Sequence, residues 1–175
     1  MTIVNTIENR ILEMSGGEFQ KLCDAYLSAK GYGEPNSSGS VAGSNKVRKG
    51  TPDTYFVRED GKFVFAEYTT QITGDLLGKL EGDLENCLNE EKTGVSISEI
   101  EEIVLCYTGM LEPDDFLSLN SKSQGKKLTQ ISLSALAHDL IKYPFLVSRF
   151  LNLPLDTGQI IPLESFPSIY GQSPF

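Results

Sequence analysis

Two carboxylates in the stretch KVRKGTPDTYFVREDGKFVFAEYTTQ, residues 46–71, are spaced for work on a shared cation. Asp53 opens the first of two strands and Glu67 lies inside the second, with a tight turn between them. The turn decides whether they meet. A two-residue loop at Asp60-Gly61 would pair Glu59 with Lys62, set Asp53 against Tyr68 and send Glu67 to the other side of the sheet. A three-residue loop at Glu59-Asp60-Gly61 pairs Arg58 with Lys62 and sets Asp53 opposite Glu67 on one face. Glycine at the third loop position suits the left-handed residue that follows a type I turn, which favours the second geometry. Directly opposed residues stand about 5 Å apart at Cβ, close enough for two carboxylates to share a divalent ion.

Like charges this close repel and lift one pKa unless a cation neutralises them. Oxygen donors suit Mg²⁺ or Mn²⁺ better than zinc. The plainer alternative is a solvated strand end, with Asp53 starting a turn after Pro52.

The second strand must carry Glu67. Phe63, Phe65, Glu67, Thr69 and Gln71 alternate onto one face, and Val64, Ala66, Tyr68 and Thr70 onto the other. Both faces start apolar, so this is a central strand covered on both sides, and its polar end holds the site. Thr69 and Gln71 can hydrogen-bond a water or phosphate, but neither offers a cation. Before the hairpin, Lys46, Arg48 and Lys49 form a basic lead-in. On an extended chain Lys49 shares a side with Thr51 and Asp53; solvated surface lysines are the alternative. Ser15-Gly16-Gly17-Glu18 fits a capping box, in which Glu18 closes a helix start.

The pattern resembles the PD-(D/E)xK nuclease superfamily. Pro52-Asp53 matches its PD half, and Glu67-Tyr68-Thr69 matches its (D/E)xK half at hairpin spacing. The resemblance covers roughly residues 10–140. It implies a restriction-endonuclease-like α/β sandwich in which Asp53 and Glu67 hold Mg²⁺, with Mn²⁺ able to substitute, joined by the main-chain carbonyl of Tyr68. It implies also that the first helix contributes Glu18 to the metal centre, the second reading of that residue. Thr69 stands where the family has a lysine that orients the attacking water, so Lys49, or Lys46 behind it, becomes the candidate for the displaced charge. The phrases GTPDTYF, FAEYTTQ and YPFLVSRFLNLPLDTGQI resemble the N-terminal nuclease module of large bacterial defence proteins, some of STAND NTPase type.

The elements that position these groups follow from periodicity. Residues 6–30 read as helix with a break near Gly16-Gly17, and Phe19, Leu22, Cys23, Tyr26 and Leu27 make its apolar stripe. Residues 31–45 read as a loop. Residues 74–91 return to helix, with Leu76, Leu77, Leu80, Leu84, Cys87 and Leu88 buried and the acids read as a solvated outer face. A strand at 103–107, a helix at 113–119, a strand at 128–133 and helices at 134–142 and 145–151 complete a sandwich around a four- to five-stranded mixed sheet. His138, the single histidine, has no Ser or Cys motif beside it.

A length of 175 residues supports one full-sized core, read as a nuclease-like domain over 1–152. The stretch 153–175 has four of the eight prolines and reads as a strap and linker towards further domains. The net charge of −9 argues against a generic nucleic-acid binder. Its distribution softens that objection: residues 76–102 carry eight acids against two bases, whereas 39–62 carry five bases against three acids. Apolar runs are too short to span a membrane, no secretory signal is visible at the start, and three widely spaced cysteines suit a reducing cytoplasm.

The expected activity is therefore metal-dependent endonucleolytic cleavage of DNA, in a protein with further domains or self-association. The alternative is a catalytically weak or inactive module of the same fold that binds nucleic acid or protein.

Overall fold

Polar side chains set where the helices start, and apolar stripes set which faces they bury. A computed structural model describes residues 2–37 and 50–155. The basic lead-in of Lys46, Arg48 and Lys49, and the stretch 156–175, lie outside the described residues. Thr2 caps α1 (Ile3–Leu12) by accepting the Asn5 N–H at 3.1 Å. Ser15 caps α2 (Gly16–Ala29) by accepting the Glu18 N–H at 3.2 Å. The expected helix thus divides just before Gly16-Gly17, and its first half starts earlier than the pattern suggested, at Ile3. The five-residue apolar stripe of α2 is buried as its spacing predicts.

β1 (Asn36–Ser37) is a two-residue strand within the stretch read as a loop. β2 (Thr54–Val57) and β3 (Phe63–Thr69) form the hairpin, with Thr54 opposite Ala66 and Val57 opposite Phe63. The loop is the three-residue form. The Arg58 N–H donates to the Lys62 carbonyl at 2.8 Å, and the Gly61 N–H to the Arg58 carbonyl at 2.9 Å. Gly61 has φ +85°, a conformation that costs a residue with a Cβ and costs glycine nothing.

α3 (Leu76–Cys87) and α4 (Glu90–Thr93) lead to β4 (Ile100–Tyr107); α5 (Pro113–Ser121) leads to β5 (Lys127–Ser132). α6 (Leu133–Leu140) and α7 (Pro144–Leu151) follow. The five strands lie in chain order in one sheet, antiparallel from β1 to β3 and parallel from β3 to β5.

β3 is buried on both faces, as its two apolar faces require. Val64, Ala66 and Tyr68 pack with α1, α2, α6 and α7. Phe65 packs on the opposite side with Leu76, Leu80, Leu84 and Cys87 of α3 and Leu119 of α5. Helices, sheet and helices make three layers. Each fully buried Leu or Phe contributes about 1.5–3 kcal/mol, so the two cores hold β3 fixed while its last residues turn polar. Among the described residues no helix is long and apolar enough to cross a membrane.

Candidate active site

Glu67 points into the layer of α3, on the same face as Phe65. The hairpin register, continued one step from Thr54 opposite Ala66, brings Asp53 opposite Glu67. Asp53 Oδ2 accepts the main-chain N–H of Tyr68 at 2.9 Å. Glu67 is only 5% exposed, and burial first, then the charge and hydrogen bond of Asp53, push its carboxyl up to about 10. Such a pair holds a proton where it could hold a cation.

Residues of one strand send N–H and carbonyl to the same neighbour. The Tyr68 N–H meets Asp53, so the Tyr68 carbonyl lies on that flank too, beyond the last paired residue of β2. Two carboxylates, one carbonyl and waters form an oxygen set of the kind Mg²⁺ accepts, since that ion keeps several waters and uses one or two carboxylates. The donor set fits. Among the described residues no three His, Cys, Asp or Glu side chains are grouped to hold a metal ion, so carbonyl and waters must complete any coordination here.

α3 adds three groups that the sequence pattern had hidden. Cys87 Sγ donates to Glu67 Oε1 at 3.6 Å, and burial, then Glu67, push its thiol far up. The sulfur is therefore a neutral donor steadying Glu67, since metal binding needs the thiolate. Lys79 Nζ donates to both oxygens of Asp83, at 2.6 and 2.7 Å. Burial works against the Lys79 ammonium, but Asp83, Glu67 and Asp53 outweigh it and hold its pKa above the ordinary value. Asp83 is 8% exposed and sits above the usual carboxylate range because of burial, in spite of Lys79. This corrects the reading of the α3 acids as a wholly solvated face. Asp83 falls on the buried stripe with Leu76, Leu80 and Cys87, a spacing of four, three and four that could have revealed it.

From the other side of the sheet, α2 braces the first strand. Asp24 Oδ1 accepts the Thr54 hydroxyl at 2.7 Å and the Tyr68 hydroxyl at 2.6 Å. Burial raises the Asp24 pKa, and the charge of Asp53 adds to that. Gln20 Nε2 donates to the Asp53 carbonyl at 3.4 Å, to Thr54 Oγ1 at 3.5 Å and to Ser37 Oγ at 3.1 Å.

Glu18 closes its capping box, its Oε1 accepting the Ser15 N–H at 3.1 Å, and Ser15 lowers its pKa. It lies exposed on α2, in the layer opposite Glu67, and the structure does not bring it to the pair. The S-x-x-E spacing is satisfied locally, which leaves nothing to turn the carboxylate inward. Thr69 is buried, and its Oγ1 accepts the Gln71 N–H at 3.1 Å. Gln71 lies in the loop after β3, pressed against Gly109, where an added Cβ would stand 2.6 Å from the Gln71 carbonyl. Comparison with protein-family models, with curated proteins and with solved structures returns no match to this chain.

Proposed function

We propose that the chain is a metal-dependent nuclease domain that hydrolyses DNA phosphodiester bonds at the Asp53–Glu67 pair. The observation that carries this reading is the pair itself: two carboxyls that the hairpin register sets opposite each other at the polar end of the central strand, Asp53 tied there by the Tyr68 N–H. Asp53, held by the Tyr68 N–H, and Glu67, held by Cys87, would ligate Mg²⁺ or Mn²⁺ together with the Tyr68 carbonyl. When bound, the ion would supply a water of lowered pKa and neutralise charge on the phosphate. The proton that burial keeps on Glu67 would leave to solvent as the pair takes up that role. Lys79, kept charged by three neighbouring acids, replaces the cation missing at Thr69 and faces negative charge building on a phosphoryl oxygen. Asp83 positions the ammonium.

One observation favours the second reading, a binding module without cleavage. The Thr69 Oγ1 already accepts the Gln71 N–H, and the motif's third position offers no charge. Lys79 is the reason we prefer catalysis. Free, buried Cys23, Cys87 and Cys106 support a reducing compartment such as the cytoplasm. The resemblance to defence-protein modules supports assembly with further domains or copies, which would bring two sites to two strands. Nicking of supercoiled plasmid tests the reading. We expect cleavage with Mg²⁺ or Mn²⁺ and none with excess EDTA; equal cleavage in EDTA would overturn it.

A further inference from the structure

A second feature lies at the carboxyl ends of the parallel strands, where open α/β sheets place their ligands. A cavity of about 660 Å³ opens between the end of β4 at Tyr107, the loop carrying Met110, and Phe116, Leu117 and Leu133. That volume lies within the range of small-ligand sites, about 300–1,000 Å³. Thr69 of β3 pairs with Tyr107 of β4. The cavity therefore begins two residues along and one strand across from Glu67, about 8 Å away by strand geometry. Its wall is fused to the loop after β3, since Gly109 stands against the Gln71 carbonyl with no room for a Cβ.

The lining decides what can enter. Among the described residues that line it none is a lysine or arginine, and the charged ones, Glu8 and Glu112, are acids. A phosphate is repelled there, so of the parts of a nucleotide only the base suits the space. Phe116, 42% exposed, offers aromatic surface and Met110 a polarisable thioether, whereas Tyr107 is buried at the inner end. Met110 is 95% exposed and Leu117 66%, and Ile72 at 64% is exposed on the adjoining loop, a cost in water that a stacked base would remove.

We infer that this cavity receives an unpaired nucleobase of the strand being cut, so that the preferred substrate is single-stranded or locally unpaired DNA. The inference rests on the nuclease reading of the Asp53–Glu67 pair. With the phosphate at that pair, a flanking base swung out of its stack reaches the Tyr107 end, whereas a base held in a duplex does not.

Photocrosslinking tests this apart from catalysis. 5-Iodo-deoxyuridine is moved stepwise along one oligonucleotide, offered to the whole chain as single strand and as perfect duplex, with Ca²⁺ in place of Mg²⁺. We expect crosslinks to Met110 or Phe116 from the single strand, at least fivefold weaker from the duplex and at least fivefold weaker in M110D, whose exposed position spares the fold. Crosslinks confined to other residues, with Mg²⁺-dependent cleavage intact, would overturn the base pocket and leave the nuclease reading standing. Absence of both binding and cleavage would overturn the two together. Self-association that M110D abolishes, without any crosslink in the cavity, would overturn the proposal in favour of an interface between copies.

Discussion

Asp53 and Tyr68 are joined by a hydrogen bond of 2.9 Å between the Asp53 carboxylate and the Tyr68 main-chain N–H. The first carboxylate is thus tied to the strand that carries the second, and the two cannot drift apart without breaking β3. Any ion held by the pair would have its ligand spacing set by a hairpin register and not by a loop.

Divalent metal should stabilise the protein. At ten times its dissociation constant, Mg²⁺ adds about 1.4 kcal/mol, which for a domain of this size is about 3–6 °C in melting temperature. Differential scanning fluorimetry with and without Mg²⁺ should show that rise in the wild type and lose it in Asp53→Asn. An equal rise in Asp53→Asn would place the ion elsewhere.

Lys79→Ala should lower the cleavage rate by about 10²-fold, with Thr69→Ala costing less than tenfold because no charge is lost. The stability cost of Lys79→Ala should stay below about 1 kcal/mol, since its side chain is 43% exposed and its ion pair is screened. Steady-state rates and urea melts separate the two effects. A larger loss for Thr69→Ala would return the catalytic role to the motif position.

Gly61→Ala should destabilise the hairpin by about 1 kcal/mol or more, because φ is +85° there. If the loop re-forms with two residues, the register slips by one and Asp53 no longer faces Glu67. Cleavage should then fall by more than the loss of folded protein measured by circular dichroism.

Acid should loosen the contact between α2 and α6. Burial acts to raise the Asp139 pKa, but hydrogen bonds from Tyr26, Lys30 and Lys142 outweigh it and leave the carboxyl below its ordinary value. A depressed folded pKa gives stability that is present above the unfolded value, near 3.9, and lost as pH falls through the folded value. Urea melts from pH 7 to pH 3 should therefore show a smaller loss for Asp139→Asn than for wild type. Parallel curves would assign the loss to other acids.

The sandwich and the hairpin were legible in the sequence because each rests on local signals. Gly61 at the third loop position chose the register, and two apolar faces marked β3 as central. Of the α3 half of the site only the burial of Cys87 was read from the sequence. Asp83 read as part of a solvated acidic face and Lys79 carried no role until the sheet supplies Glu67 beneath them. Glu18 satisfied a local cap, and nothing in its spacing announces that α2 packs on the far face. Asp24 and Gln20, which brace Thr54 and Asp53, lie beside a plain apolar stripe, and only the packing of α2 gives them partners. β1 is two residues long and owes its form to β2.

The most direct measurement is Mg²⁺-dependent DNA cleavage by Asp53→Ala beside the wild type, with both shown to be folded. The loss of one of two carboxylates should leave a site unable to hold its ion, and cleavage should fall by about 10²-fold or more. Unaltered cleavage by Asp53→Ala would show that the hairpin is not where the bond is broken.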